Sequence, residues 1–444
     1  MKPDQDTRIL LESTGTFSAG IATGIERVVR NIVYHAVTSG QKGCRPVILR
    51  NRKFYDATAA WLEKEQRYTD PVAGTDKSLP RVADSCATRP ALGHAGNAAI
   101  RRFWKAVYPR PLSRAIDAAW WRMTGTRIEF AERDVLLLLE PSWRLPIWPA
   151  VRQARRRGCR VGAIVYDLIP VDYPDFFKPR ACQAFRAWLD ALITHADFFV
   201  AISEVVRARL EEYICDHLPA KVAAAKQYGS FRLGSDVSHQ KPHGTIRPSI
   251  RDLFPAHRQD AAYLNVGTIE PRKNHSYLLD AFDRFWSQYP DARLCIVGRI
   301  GWKCEEVIAR IRQHPRIGTT LFLFNDLNDA ELDWCYQFCK GLICPSVAEG
   351  FGLPIVEGLR HGARVLASDI PVHREVGQDR CRYFGLKTPD RLAALLIGLE
   401  GGDGLSWNHP SSPRPVSWAE SYASLIRETL ALSHLGAQCV SATG

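Results

Sequence analysis

The sequence predicts an α/β protein built as two doubly wound halves, and three observations carry that expectation. Short apolar runs alternate with longer amphipathic ones along most of the chain, which implies parallel strands covered by helices. A stretch from 239 to 258 breaks the alternation with Pro242, Gly244, Pro248 and Pro255, and reads as a connection between halves. The 444 residues also exceed the ~100–200 of a single domain. The expected division is residues 1–240, residues 241–415, and a last helical stretch, 416–444, packing back on the first half. Two such halves put ligands in a cleft, at the carboxyl ends of their strands.

In chain order, the strand-sized apolar runs are Val135–Leu139, Val161–Tyr166, Phe198–Ile202, Ala262–Val266, Leu294–Val297, Leu321–Phe324, Leu342–Cys344 and Arg364–Ala367. Helix-sized amphipathic segments include Ser276–Gln288, Cys304–Gln313, Ala330–Lys340 and Ser417–Leu432. Residues 70–100 mix Pro, Gly, Ser and Ala without a period and read as a long insertion. Gly401–Pro415 reads as a loop.

Composition narrows the class. At 46% hydrophobic and 24% charged residues the chain is globular, which excludes a mostly disordered one. No apolar run approaches the ~18–20 residues a spanning helix needs. Residues 1–20 lack a basic head followed by a long apolar core, so no secretion signal is expected. The net charge of +12 favours anionic partners. The 12 cysteines form no Cys-x-x-Cys pair and read as reduced, mostly buried side chains of a cytoplasmic protein. There is no Gly-Lys dipeptide, hence no Walker loop, and no His-Glu-x-x-His zinc motif.

Two blocks carry chemistry. In Cys344-Pro-Ser-Val-Ala-Glu349-Gly-Phe-Gly-Leu-Pro-Ile-Val-Glu357, two carboxylates flank a Gly-x-Gly loop. Pro354 marks the start of a helix, which puts Glu349 on the loop after a strand and Glu357 in the helix's first turn. Gly350 and Gly352 allow a close backbone approach to a ligand, and the free amides at the helix start suit a phosphate. Carboxylates beside an anion site suit a ligand that has both phosphates and hydroxyls. In the second block, Asn265 to Asn274, Arg272 and Lys273 fall on the loop after a buried strand. A cation pair there can neutralise a diphosphate. The alternative, a solvated helix start, is weakened because cations are disfavoured at that end of the dipole.

Together these blocks resemble the retaining glycosyltransferases of family 4, which have the two-Rossmann GT-B fold around a central cleft. Glu349 and Glu357 match the family's E-x7-E signature, and Gly267 to Asn274 resembles a subgroup met in O-antigen and exopolysaccharide pathways. The resemblance runs on through His361–Gly362, Ala367-Ser368-Asp369 and Glu375, covering about residues 260–385. It implies that Arg272 and Lys273 hold the donor diphosphate and stabilise the leaving group. Glu357 would bond the donor ribose and Glu349 the sugar hydroxyls. The amides of Phe351, Gly352 and Leu353, with Gly267, would line sugar and phosphate. Many members carry Arg where this chain has Thr268, so that cation's role passes to Arg272. Gly24, at the entry of an amphipathic helix, would approach donor phosphates and acceptor, or is an ordinary helix entry. Where members often have a His-Asp pair, this chain reads Tyr166-Asp167. Asp167 is the candidate for acceptor contact or base; its bland alternative is an Asp capping the next turn.

The resemblance also implies front-face attack helped by leaving-group stabilisation, with no metal or other cofactor. The partners implied are a nucleotide sugar and a polyprenyl-diphosphate-linked saccharide. Residues 101–122 hold six basic residues interleaved with Trp104, Tyr108, Trp120 and Trp121. Arg152, Arg155, Arg156, Arg157 and Arg160 form a second cluster. Both suit docking at an anionic membrane, here the inner face of the plasma membrane, or are solvated faces with aromatics turned inward. The expected activity is hexosyl transfer, by preference of mannose or a related sugar from a GDP-sugar, in bacterial surface polysaccharide synthesis. A UDP-sugar donor, another GT-B enzyme such as an epimerase, and a nucleic-acid-binding protein are the alternatives. No compact nucleic-acid motif accompanies the charge, so nucleic acid is not an expected partner.

Overall fold

The computed structural model describes residues 7–18, 24–39, 43–69, 125–143, 145–236, 244–257, 261–402 and 415–441. The first sheet runs β3-β2-β1-β4-β5-β6-β7. Its strands are β1 Ile9–Glu12, β2 Cys44–Arg50, β3 Lys53–Asp56, β4 Val135–Leu138, β5 Arg160–Val165, β6 Phe198–Ala201 and β7 Gln227–Ser230. The second runs β10-β9-β8-β11-β12-β13, from β8 Tyr263–Val266, β9 Leu294–Val297, β10 Leu321–Phe324, β11 Gly341–Cys344, β12 Val365–Ser368 and β13 Cys381–Phe384. Every paired register of this second sheet is parallel. Only the hairpin β2–β3 is antiparallel among the registers described in the first.

The second sheet has the strand order 3-2-1-4-5-6 of a doubly wound fold. Its order reverses between β8 and β11, so the loops after these two strands border the crevice where such sheets take ligands. β9, β11 and β12 are buried along their whole length, as central parallel strands covered on both faces must be. The covering layer packs Phe282, Phe285 and Trp286 of helix His275–Trp286 onto Tyr263, Leu294 and Ile296, all at most 2% exposed. In the first sheet the corresponding reversal lies between β1 and β4. By compactness the chain divides into residues 1–162 and 163–444.

The eight expected strands are all present, each within a residue or two of its expected ends. Five others were not expected. β1 and β3 are four residues long, and β2 carries Arg45 and Pro46. β7 and β13 are edge strands with polar residues (Gln-Tyr-Gly-Ser and Cys-Arg-Tyr-Phe). An edge strand buries less of itself, so it needs no apolar run. Inside the Pro-rich connection, Pro248 opens the helix Pro248–Leu253 instead of breaking one, a position where its missing N–H costs nothing. The last helix, Trp418–Ser441, is longer than expected and packs beside β6 and β7. Residues 70–100, the basic segment 101–122 and most of Gly401–Pro415 lie outside the described residues.

Of the second basic cluster, Arg152, Arg155, Arg156 and Arg157 are exposed, while Ala150, Val151 and Ala154 turn helix Trp148–Arg156 inward. No helix among the described residues is long and apolar enough to cross a membrane. Of the cysteines whose side chains are described, all but Cys215 are buried.

One glycine couples the second sheet to its crevice. A Cβ on Gly298, just past β9, would stand 1.8 Å from the Gly267 carbonyl oxygen just past β8. Backbone cannot yield there as a side-chain tip can. Gly298→Ala should therefore destabilise by about 3 kcal/mol or more, the upper end for overpacking, read as a lower urea midpoint.

Candidate functional site

The loop after β8 folds into a short 3-10 turn, Pro271–Lys273, closed by Asn274 in the left-handed region at φ 59°. This turn aims two consecutive cations the same way. Arg272 and Lys273 both form ion pairs with Glu349, which sits on the loop after β11. Arg272 also reaches Glu270 Oε1 at 2.7 Å, and its carbonyl accepts from Val347 N at 2.8 Å. Ser346 Oγ donates to Glu349 Oε1 at 2.7 Å. The mismatch expected of cations at a helix start is thus relieved from within the chain, by Glu349 and Glu270.

Burial pushes the Glu349 carboxyl up, but Arg272 and Lys273 outweigh it and hold the group well below the usual carboxylate range. Burial also works against the Arg272 charge, and Glu349 and Glu270 more than restore it. Glu270 goes the other way: burial raises it despite both cations. The cluster is therefore two cations facing a firmly ionised Glu349, with Glu270 also against Arg272.

Glu349 leads into Gly350-Phe351-Gly352 and helix Leu353–Arg360. Gly352 caps that helix at φ 95°, which glycine adopts freely. Phe351 is buried. Gly350 makes a close approach, but to protein rather than to open pocket: its Cβ would stand 2.0 Å from the Tyr166 carbonyl oxygen. Pro354 is the helix's second residue and Glu357 its fifth, so Glu357 lies in the second turn and not the first. Glu357 is 2% exposed and accepts a 2.7 Å hydrogen bond from Tyr336 Oη.

Asp167 lies beside this group, its carboxyl raised by burial and opposed by the Arg272 charge. It also accepts from Ile169 N at 3.1 Å, so the turn-capping alternative is realised together with proximity to the cations. Gly267 borders Lys273, and Thr268 lies against Gly301. Gly24 opens helix Gly24–Thr38 with open space where a Cβ would stand, so no close approach demands glycine there.

Sequence reasoning missed several residues of this neighbourhood. His373, 1% exposed, lines the pocket with Lys273, Ser346, Glu349 and Gly352; burial holds its ring near pKa 4, against the pull of Glu349. His275 and Asn265 line the same pocket. Their signal was position: Asn265 is a polar residue inside an apolar strand, and His275 directly follows Lys273-Asn274. In residues 1–162 a second carboxylate pair was missed. Glu12 and Glu140 end the apolar runs of β1 and β4 and are 0% and 7% exposed. Glu140 accepts from Thr16 N at 2.9 Å, Thr16 Oγ1 at 2.7 Å and Gly15 N. Glu12 accepts from Thr14 N at 2.9 Å and Ser142 Oγ at 3.2 Å. Burial raises both carboxyls, and Glu140 raises Glu12 further.

Residues 247–399 match the family model "Glycosyl transferases group 1". Over 267 residues the chain is 29% identical to the serotype-specific mannosyltransferase WbdA of Escherichia coli, covering 60% of this chain and 33% of that one. Over 190 residues it is 30% identical to a phosphatidyl-myo-inositol mannosyltransferase of Mycolicibacterium smegmatis, covering 41% and 47%. The aligned stretches thus span between a third and a half of these relatives. Among solved structures, the sucrose-phosphate synthase of Thermosynechococcus elongatus aligns over 98% of this chain and 100% of its own, at 15% identity and a TM-score of 0.56. Anabaena HepE, solved with UDP and glucose, aligns over 98% and 99%, at 14% identity and a TM-score of 0.52.

Two predictions follow from the charges. Removing Glu349 leaves two half-buried cations facing each other, so Glu349→Ala should cost about 3–5 kcal/mol; adding Arg272→Met should recover part of that loss in a denaturant titration. Glu12 and Glu140 fold best protonated. Their contribution to stability should be full at and below the ordinary carboxylate range and be lost as pH climbs above it, and Glu12→Gln should flatten that slope.

The fold is GT-B, and residues 247–399 of it match the glycosyltransferase group 1 model.

Proposed function

We propose that this chain is a retaining hexosyltransferase that moves a sugar from a nucleotide sugar to a lipid-linked saccharide in bacterial surface polysaccharide synthesis. Mannose from a GDP-sugar is the preferred donor, a preference supported by the names of the mannosyltransferase relatives. The observation that carries the reading is the pair Arg272–Lys273 after β8, facing Glu349 after β11, at the reversal point of the second sheet. Residues 241–415 are proposed as the donor half and residues 1–240 as the acceptor half.

In this reading Arg272 and Lys273 hold the donor diphosphate, and the amides of Phe351, Gly352 and Leu353 add the positive end of a helix. The incoming anion supplies the charge the cations now take from Glu349, which frees that carboxylate for sugar hydroxyls. Glu357 bonds the ribose. The acceptor oxygen attacks the anomeric carbon from the face the diphosphate leaves. The new C–O bond forms as the old one breaks, and the acceptor proton passes to a leaving-group oxygen or to Asp167. A carboxyl raised by burial is the better base. Leaving-group charge is met by protein cations and amides, so no metal is required. Docking at an anionic membrane through the exposed arginines of 152–157 brings the chain to a polyprenyl-diphosphate-linked acceptor.

The test is thermal stabilisation by GDP, UDP, ADP and their sugars, then turnover with and without chelator. Ligand at ~100 times its Kd should add ~2.7 kcal/mol. Lys273→Ala should weaken nucleotide-sugar binding about 10- to 100-fold, or ~1.4–2.7 kcal/mol. A product of inverted anomeric configuration refutes retention, loss of turnover in chelator refutes metal independence, and release of free epimer favours the epimerase.

A further inference from the structure

Three polar atoms in the pocket beside Lys273 and Glu349 have no hydrogen-bond partner. They are Asn265 Oδ1 and both ring nitrogens of His275. The two residues are 4% and 3% exposed. Buried polar groups are paired in the great majority of cases, and leaving one unpaired costs about 1–3 kcal/mol. Three together on the wall of one pocket point to a ligand that completes them.

The chemistry of that ligand can be read from the atoms. Asn265 spends its amide on the Ile343 carbonyl at 2.9 Å, so it offers only an acceptor. Burial and the nearby Lys273 charge hold the His275 ring down at about 4, so it is neutral and offers one donor and one acceptor. His373 adds a third acceptor. Ser368 Oγ donates to the Ser346 carbonyl at 2.6 Å, so toward the His373 ring it accepts. Nδ1 therefore carries the hydrogen, held by Ser368 Oγ at 3.0 Å and the Ser368 carbonyl at 3.1 Å, and Nε2 is bare. A phosphate, which only accepts, finds too few donors among these atoms and belongs with Arg272 and Lys273. A hydroxyl both donates and accepts, and fits.

We propose that Asn265 and His275 form a hydroxyl-reading subsite of the donor pocket, which takes a hydroxyl of the transferred sugar and selects among sugars by it. The subsite rests on the donor reading above. A water held by the same atoms is its competitor.

Calorimetry on the full chain distinguishes them. Wild type, His275→Phe and His275→Gln are titrated with GDP, GDP-mannose, and the singly deoxygenated GDP-mannose analogues, or with the UDP series if that base binds. The Phe ring keeps the shape and loses both nitrogens; Gln keeps a donor and an acceptor if Phe prevents folding. The expected result is a nucleoside-diphosphate Kd within twofold of wild type and a nucleotide-sugar Kd weakened at least tenfold by Phe and less by Gln. One deoxy analogue should bind wild type at least tenfold more weakly than the parent sugar, yet bind His275→Phe as well as the parent does. If the variants bind GDP, the sugar and every analogue as wild type does, a trapped water satisfies the atoms and the subsite is overturned, while the donor reading stands. If wild type binds no nucleotide or nucleotide sugar, the donor reading falls, and the subsite with it.

Discussion

The site depends on one electrostatic arrangement: two consecutive cations and a carboxylate from separate loops, held together where the second sheet reverses its strand order. Arg272 and Lys273 follow β8, and Glu349 follows β11. β8 and β11 are neighbours in space although 74 residues lie between the end of one and the start of the other, Tyr263 and Gly341 being paired in register. Partly buried charges are costly to desolvate, and removing one partner costs more than the pair contributes. The cluster is therefore maintained at some expense to stability. Arg272 and Lys273 stand at the carboxyl ends of parallel strands, where a doubly wound sheet takes ligands.

The first sheet solves the same geometry differently. Its reversal lies between β1 and β4, and the helix start after β1 offers the amides of Gly15 and Thr16. Glu140, arriving from β4, occupies those amides itself. Amides already taken by a side chain are not open to an anion. Cations at one reversal point and occupied amides at the other set the two sheets apart.

Much of this was legible in the sequence, for physical reasons. Central parallel strands are buried on both faces, so Val135–Leu139 or Leu294–Val297 read as apolar runs. The edge strands β7 and β13 bury less and stayed invisible. The site blocks announced themselves because close backbone approach and helix entry demand glycine and proline at fixed places, as Gly352 and Pro354 show. What was not legible were contacts that only the fold creates. Gly350 looked like a ligand contact and proves to be a passage for the Tyr166 carbonyl. Arg272 and Lys273 looked uncompensated until Glu349 and Glu270 arrived from the packing. His373 carries no spacing signal, since a lone histidine in sequence is usually an ordinary core or surface residue.

The Gly350 passage sets how near Asp167 stands to Arg272. Ser203 Oγ donates to the Gly350 carbonyl at 2.8 Å while accepting from Val206 N at 3.2 Å, so one hydroxyl both caps helix Glu204–His217 and grips the loop that bears Glu349. The Glu375 carboxylate accepts from Glu204 N at 2.8 Å and Val205 N at 2.9 Å at the same helix start, where the helix dipole favours a negative charge. These bonds reach from the helix start after β6 to the loop after β11 and to helix Pro371–Gly377, all within residues 163–444. Any residue larger than glycine at 350 would push the Tyr166 backbone away, and Asp167 with it. The spacing of Glu349, Asp167 and the cations is thus set by backbone contact and helix capping.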